Sequence, residues 1–257
     1  MTQPDLQADT HVHTRLCNHA SGEMEEYVLT ALERGLASLT FLEHLEAGIE
    51  YPERTWLTEE HFQEYFRVGK RLQEKYQDRI AIRLGVELGY NPDKVDTLRT
   101  RLAAHRWERI GLSYHFLFDG ARHLNMVSRR KRNIEALASL GPERVVTRYL
   151  DGLIQALRQF DCDQLCHLDA VMRHYPGLHF GETHWQQVET LLGIMRKKGI
   201  ELELNTSGFS LRGEPYPCRR IVDMARTMGI GLVAGSDAHR PEQVGRDFDR
   251  LADFLGS

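Results

Sequence analysis

Short apolar runs alternate with longer amphipathic segments along almost the whole chain. The first run, LQADTHVH, predicts a strand. The segment MEEYVLTALERG after it has the apolar spacing of a helix, with Gly35 as its C-terminal cap. Strand and helix patterns then alternate seven times, up to a final helix pattern, PEQVGRDFDRLADFL. This order predicts a parallel sheet, and seven units favour a closed barrel over an open sheet.

The other predicted strands are ASLTFLEH, IAIRLGVELGY, ERIGLSYHF, CDQLCHLD, IELELNTS and GLVAGSDAH. The predicted helices between them are EEHFQEYFRVGKRLQEKY, PDKVDTLRTRLAA, PERVVTRYLDGLIQALRQF, THWQQVETLLGIMRKKG and PCRRIVDMARTMG. The sequence contains no internal repeat, low-complexity tract or linker. It therefore predicts an α/β fold, a distorted (β/α)7 TIM-like barrel that forms a single domain over residues 1–257.

Composition narrows the class of protein. The chain has 257 residues, a formal net charge of −4 and 41% hydrophobic residues, which is typical of a soluble globular domain. The mild acidity argues against nucleic acid as a partner, and no apolar run is long enough to span a membrane. The N-terminus lacks the pattern of a secretory signal, and four cysteines are too few for a disulfide scaffold. We therefore expect reduced thiols and a cytoplasmic location.

Polar side chains of the types that bind metals occur at or near the C-terminal ends of the predicted strands. In a barrel these ends meet at one face, and residues two apart on a strand point the same way. A single histidine at a strand end is more often a hydrogen-bonded structural residue than a ligand, so the argument depends on the whole set. Imidazoles and carboxylates together suit Zn, Mn or Fe better than Mg or Ca. The set is His11, His13, His44, Glu87, His115, His167, Asp169, Glu203, Asn205, Asp237 and His239.

At these positions the sequence resembles the PHP superfamily, the polymerase and histidinol phosphatase domain, and within it the monofunctional histidinol phosphatases. The resemblance covers nearly the whole chain and rests on the segments HVH, LEH, GVELGY, SYHFLFDG, CHLD and GSDAH, with a further histidine six residues after HVH. It implies a site of two or three divalent metal ions, Zn, Mn or Fe. The implied ligands form three groups, with Glu87 shared by the first two: His11, His13, Glu87 and Asp237; Glu87, His115 and His167; and His19, His44 and His239.

The resemblance also implies a reaction, the hydrolysis of L-histidinol phosphate to L-histidinol and phosphate in histidine biosynthesis. Divalent ions lower the pKa of a shared water and neutralise phosphate charge, so a hydroxide that bridges the ions would attack phosphorus. Asp237 and His239 are the candidates for the catalytic proton transfer to the leaving alkoxide. The expected partner is a small-molecule phosphate ester.

Three arginines are candidates for binding the substrate phosphate, because guanidinium groups bind phosphate oxygens with two parallel hydrogen bonds. Arg15 lies in the loop after the first motif, Arg173 follows CHLDAVM, and Arg212 follows NTSGFSL. The default interpretation of any arginine is a solvated surface residue. An arginine after the fifth-strand histidine and one at the position of Arg212 are similar to the phosphate-binding residues of histidinol phosphatases.

Two departures from the resembled family leave the substrate open. The second motif reads LEHLE where Thr-Glu-His-x-Pro or Thr-Asp-His is expected, and the third strand reads VELGY where the phosphatases more often carry an acidic residue after the glutamate. The alternatives are a phosphatase or phosphodiesterase for another ester, a non-catalytic metal-binding PHP module, and a metal-dependent amidohydrolase. The complete ligand set argues against the second, and Arg173 and Arg212 argue against the third.

Two residues beside the motifs also carry expectations. Asp9, just before HVH, is expected to orient a ligand imidazole. The basic run SRRKRN, which begins at Ser128, is expected to be a solvated loop or the start of a helix.

Overall fold

A parallel sheet of seven strands forms the centre of the molecule in a computed structural model that describes residues 3–256. Met1, Thr2 and Ser257 lie outside the described residues, so the predicted domain of residues 1–257 extends beyond them at both ends. The sheet contains, in spatial order, β1 (Ala8–Val12), β2 (Ser38–Leu45), β3 (Ala81–Gly89), β4 (Ile110–Ser113), β7 (Gln164–Leu165), β8 (Glu201–Asn205) and β9 (Leu232–Gly235). The intervening β5 (Phe116–Phe118) and β6 (His123–Asn125) form a separate antiparallel hairpin.

The first and last strands of the sheet meet and close it. Val12 pairs in parallel with Ala238, the residue three positions beyond the end of β9. The His13 amide donates to the Ala238 carbonyl and the Asp237 amide donates to the His11 carbonyl, both at 2.9 Å. These bonds confirm the predicted barrel, with its seven strands in sequence order.

Helices cover the outside of the barrel, and their bounds follow local signals in the sequence. Thr58 caps the longest N-terminal helix by accepting a hydrogen bond from the His61 amide, and Gly199 ends another in a left-handed conformation, with φ at 70°. Among the described residues, no helix is both long and apolar enough to cross a membrane. The helices are α1 (Met24–Glu33), α2 (Glu59–Tyr76), α3 (Val95–Ala103), α4 (Lys131–Leu140), α5 (Pro142–Gln159), α6 (Glu182–Lys198), α7 (Phe209–Arg212), α8 (Arg219–Met228) and α9 (Phe248–Gly256).

Several element boundaries differ from the predicted ones. The fourth strand ends at Ser113, because the chain turns into the hairpin, where the Met126 amide donates to the His115 carbonyl at 2.8 Å. Of the four predicted helices that open with proline, two instead begin with a 3-10 turn, at Pro92–Lys94 and Pro241–Gln243. A third begins at its proline as predicted, at Pro142 in α5, and the fourth begins two residues after Pro217, at Arg219. The basic run contains a helix start, since α4 begins at Lys131.

Small residues in the middle strands leave room for one large side chain inside the barrel. A Cβ on Gly85 or Gly111 would lie 2.9 or 2.7 Å from a methyl carbon of Leu42, which is closer than real side chains approach. The Tyr65 hydroxyl crosses from α2 and donates to the carbonyls of Phe41 and Gly85. This packing fixes β2 and β3 to each other below the polar ends of the strands.

Candidate metal centre

All nine predicted ligands lie at the C-terminal end of the barrel. His11, His44 and Glu87 are within strands, and the others follow strand ends by a few residues, except His19, which lies in the loop after a 3-10 turn at Arg15–Cys17. Six of the nine are buried, Asp237 and His239 are partly buried, and His19 is exposed. Strand ends and one loop therefore bring together residues from both ends of the chain.

The first predicted group has the spacing of a metal site. His11 Nε2 lies 2.9 Å from His13 Nε2 and 3.6 Å from Glu87 Oε2, and His13 Nε2 lies 3.3 Å from Asp237 Oδ1. Two ligands on a tetrahedral Zn²⁺ with bonds of about 2.0–2.1 Å lie roughly 3.3 Å apart. The donor atoms of His11, His13 and Asp237 lie within 4.8 Å of one another and could hold a single ion, with Glu87 Oε2 beside both imidazoles.

Glu87 joins the first group to the second through its other oxygen. Its Oε1 lies 2.9 Å from His167 Nε2 and 3.3 Å from His115 Nε2, while Oε2 faces the first group. Glu87 is fully buried, and its Oε2 makes no hydrogen bond of normal geometry among the described residues. A buried carboxylate oxygen without a hydrogen bond is costly, and a bound cation would satisfy it.

The third predicted group is more open. His19 Nε2 and His239 Nε2 are 2.7 Å apart, and donor atoms of His13, His44 and His239 lie within 4.8 Å of one another. The structure also brings His44 Nδ1 to 2.7 Å from Glu87 Oε2, so this imidazole lies between the third group and the bridging carboxylate.

The second ring nitrogen of most of these histidines is bound to an oxygen. Nδ1 of His11 lies 2.6 Å from Glu203 Oε1 and Nδ1 of His115 lies 2.9 Å from Glu46 Oε1. His19 and His239 direct Nδ1 to the backbone carbonyls of Cys17 and Asp237, each at 3.0 Å. An N–H donated at Nδ1 leaves the Nε2 lone pair free for a metal, which is the usual arrangement of metal-bound imidazoles.

The buried carboxylates and imidazoles of the centre shift one another's pKa values. Burial would raise the pKa of Glu87, but the His115, His44 and His11 imidazoles hold it well below its usual range. Burial would lower the pKa of His115, yet the Glu87 and Glu46 carboxylates raise it to about 10. The negative charge of Glu87 is thus stabilised by the imidazoles around it, and a bound cation could act on it in the same way.

The chain matches a known family over most of its length. Residues 9–207 match the PHP domain, and residues 215–248 match the segment described as PHP-associated. The chain belongs to the PHP family.

Relatives of this PHP protein carry phosphatase names. A Deinococcus radiodurans protein named "Probable histidinol-phosphatase" is 30% identical over 246 residues, which is 93% of this chain and 89% of the relative. The histidinol-phosphatase of Bacillus subtilis is 25% identical over 94% of this chain and 96% of its own. The comparisons confirm the predicted family and the predicted enzyme class, a hydrolase of phosphoric esters.

Solved structures of similar fold agree with the barrel. A Listeria monocytogenes protein assigned provisionally as a histidinol phosphatase has a TM-score of 0.86 at 23% identity, over 95% of this chain and 99% of that chain. A histidinol phosphate phosphatase from Lactococcus lactis, complexed with Zn, L-histidinol and phosphate, has a TM-score of 0.77 at 17% identity, over 97% of this chain and 92% of that chain. Both likenesses show that this chain shares the fold of those proteins.

The three candidate phosphate-binding arginines of the PHP protein have different surroundings. Arg15 is about half exposed and is paired at 2.6 and 2.9 Å with Glu23 and Glu64. Arg173 is partly buried and donates from Nε to the Val127 carbonyl at 3.2 Å. The charge of Arg173 acts on the Tyr216 hydroxyl, whereas the Arg15 guanidinium is taken up by two carboxylates.

Arg212 forms a two-bond ion pair with Asp169, at 2.9 and 3.0 Å, and its guanidinium carbon lies 4.1 Å from the centre of the Tyr216 ring. Tyr216 is buried, and the charges of Arg173 and Asp237 also act on its hydroxyl. Sequence reasoning missed Tyr216, and only its position in the loop after Arg212 could have drawn attention to it.

The expectation for Asp9 is wrong. Its carboxylate accepts hydrogen bonds from the amides of Ser236 and Gly245, at 2.9 and 2.8 Å, and a longer one from the His11 amide. Asp9 lies at the seam between β1 and β9, and among residues 3–256 its carboxylate is hydrogen-bonded to backbone amides and to no imidazole nitrogen. It stabilises the loop that carries Asp237.

Two of the proposed ligands have a strained backbone. Asp237, in that loop, and His167, after β7, have positive φ values of 51° and 28°, which side-chain-bearing residues rarely adopt. The Arg246 guanidinium donates to the Ser236 carbonyl at 2.8 and 3.0 Å and braces the turn. Sequence reasoning also missed Arg246, because an arginine eleven residues after GSDAH begins looks like any surface arginine.

Proposed function

We propose that the protein hydrolyses L-histidinol phosphate to L-histidinol and phosphate, using two or three divalent ions, Zn, Mn or Fe, in the histidine-biosynthetic pathway. One observation carries the proposal: Glu87 directs one carboxylate oxygen to His11 and His13 and the other to His115 and His167. Such a bridging carboxylate suits ions held close together. The names of the relatives, and the L-histidinol and phosphate in the Lactococcus lactis structure, support this substrate.

The proposed ligands are the nine residues described above, in the three groups that share Glu87. When bound, the ions would activate water and neutralise the charge of the phosphate. Asp237 and His239 are the proposed groups for the leaving-group proton, because both lie at the partly open side of the centre and are 3.5 Å apart. Arg173 and Arg212 are proposed to bind substrate phosphate, Arg212 while held by Asp169. Arg15 is the weakest of the three, since its charge is already paired.

We further propose that residues 1–257 form one domain, because β9, from the PHP-associated segment, lies in the same sheet as β1. All four cysteines are free, which is consistent with a cytoplasmic location.

Phosphate release tests the function. The protein, stripped with a chelator and reloaded with Zn²⁺, Mn²⁺ or Fe²⁺, is assayed against L-histidinol phosphate beside other phosphomonoesters and phosphodiesters. We expect L-histidinol phosphate to have a specificity constant orders of magnitude above the rest, and the stripped protein to be inactive. His167→Ala removes a proposed ligand, and His179→Ala, at an exposed histidine outside the centre, is its control.

Two other results would redirect the assignment. A higher specificity constant for another ester would retain the phosphatase chemistry and refute the histidinol phosphate substrate. That outcome has some support in the LEHLE and VELGY segments, which depart from the family motifs. Absence of turnover in the loaded protein, with the ions bound, would favour a metal-binding module without catalysis.

A further inference from the structure

Glu46 lies at the end of β2, two residues beyond His44, and is outside the proposed ligand set. Its carboxylate is 2% exposed, and Oε1 lies 2.9 Å from His115 Nδ1. Ser113 Oγ, the other polar atom near that nitrogen, is at 3.4 Å, the weak limit of a hydrogen bond. Glu46 is thus the strong hydrogen-bond partner of a proposed ligand of the second group.

The Glu46 carboxylate makes its one close hydrogen bond among the described residues to His115. Arg101 lies nearby, but it donates to the backbone carbonyl of Glu46 at 2.5 Å. Among the described residues, Oε2 makes no hydrogen bond. A change of the Glu46 side chain would therefore leave the Arg101 contact in place and remove mainly the contact with His115.

Gly89, on the neighbouring strand, makes room for this carboxylate. The parallel register pairs His44 with Glu87 and Leu45 with Leu88, so the next step places Glu46 beside Gly89. A Cβ built on Gly89 would overlap the Glu46 carboxylate, whose Oε1, Cδ and Oε2 are its three nearest atoms. Gly89 is not among the glycines with positive φ, so its backbone conformation would accept a side chain. Glycine is needed at position 89 because a larger residue would collide with the Glu46 carboxylate, and not because of the backbone conformation.

We propose that Glu46 is the positioning residue for His115, and that Glu46 and Gly89 form an exchangeable pair. The same space can hold a carboxylate from either strand, and in this chain it comes from residue 46. Glu46 stands at the position where LEHLE departs from proline. The Glu46 bond holds His115 Nε2 towards Glu87 Oε1, at 3.3 Å. The inference rests on the proposed metal centre.

Zn²⁺ affinity, measured by chelator competition without substrate, tests the proposal. Partners that orient metal-bound histidines are typically worth about 10–100-fold in metal affinity, so Glu46→Ala should weaken one Zn²⁺ by that factor. Gly89→Ala should do the same, because its Cβ displaces the carboxylate. Gly89→Ala placed on Glu46→Ala should have little further effect. Glu46→Gln keeps an acceptor for His115 and should lose less than Glu46→Ala.

The decisive variant is the double substitution Glu46→Ala with Gly89→Asp. The aspartate introduced on β3 supplies the missing carboxylate, so it should restore the wild-type Zn²⁺ affinity. Gly193→Ala is the control for Gly89→Ala, because a Cβ there meets nothing within 4 Å. Glu33→Ala, at an exposed position on α1, controls for the loss of a carboxylate.

Wild-type affinity in Glu46→Ala, or a double variant no better than Glu46→Ala alone, would overturn the proposal. If Glu46→Ala does not fold, two other comparisons of Zn²⁺ affinity decide the proposal. Gly89→Ala should bind Zn²⁺ more weakly than Gly193→Ala, and Glu46→Gln should bind it more weakly than the wild type. Equal affinities in both comparisons would overturn the proposal. Because Zn²⁺ binding is read without substrate, failure to hydrolyse L-histidinol phosphate would refute the proposed function and leave this result standing.

Discussion

Replacing Glu203 with glutamine tests whether the orientation of His11 depends on one carboxylate. Glu203 is fully buried on β8 and uses both oxygens: Oε1 lies 2.6 Å from His11 Nδ1, and Oε2 accepts from the His167 amide at 2.7 Å. Glutamine has the same shape but offers one acceptor and one donor. It cannot satisfy both partners.

Either orientation of the new amide has a cost. If its NH₂ faces His11, Nδ1 must accept, so the proton moves to Nε2, the nitrogen proposed to bind the metal. If its NH₂ faces His167, two N–H donors meet in a buried site. In this second orientation, a buried donor without a partner costs about 1–3 kcal/mol of the free energy of unfolding. The first orientation instead weakens metal binding by roughly 10–100-fold, which is about 1.4 kcal/mol for each factor of ten.

Chelator competition with Zn²⁺ and urea unfolding of the metal-free protein separate the two orientations. The first lowers affinity, and the second lowers the free energy of unfolding. Glu201→Gln is the matched control, because Glu201 is on the same strand but pairs with Arg109 at 2.5 Å, outside the centre. A Glu203→Gln protein that keeps both wild-type affinity and wild-type stability would refute the reasoning.

Three further predictions concern phosphate, protons and packing. Arg173→Ala should raise KM for a phosphate monoester by about tenfold or more, because it removes a charged hydrogen bond of about 1.5–3 kcal/mol. Arg15→Ala should change KM little, since the charge of Arg15 is already paired. Equal effects of the two substitutions in steady-state kinetics would contradict this prediction. Burial and the charge of a neighbouring imidazole lower the pKa of His44 well below 6.5. This contribution to the stability of the metal-free protein is present above that pH and is lost as the pH falls below it. Because His115, with its pKa raised to about 10, acts in the opposite direction, the test is a difference between two proteins. As the pH falls from about 7.5 to about 5.5, the free energy of unfolding in urea should fall further, or rise less, in the wild type than in His44→Gln, and equal changes would contradict this. Gly152→Ala should destabilise the fold by about 1–3 kcal/mol, since its Cβ would overlap the Tyr114 ring, and an unchanged Tm would argue against this packing.

The sequence predicted the barrel and the convergence of the candidate ligands because both follow from repeating patterns. Strand–helix alternation determines that the sheet is parallel, and the ends of parallel strands share one face. The β5–β6 hairpin escaped prediction because its strands are only three residues long, too short for alternation to register.

The partners of the imidazoles could not be predicted in the same way. Glu203 is 192 positions from His11 in sequence, and Glu46 is 69 positions from His115. No local pattern indicates which of several buried carboxylates will face a given nitrogen. The pairing of Arg212 with Asp169 escaped for the same reason, since the two residues are 43 positions apart in sequence.

The closure of the barrel between β1 and β9 has a consequence for synthesis of the protein. Asp237 and Ala238 are translated long after His11 and His13. The hydrogen bonds that join these two segments can therefore form only after the chain has been synthesised beyond Ala238. A chain cut short before that point would lack the partner of β1, and its sheet would stay open.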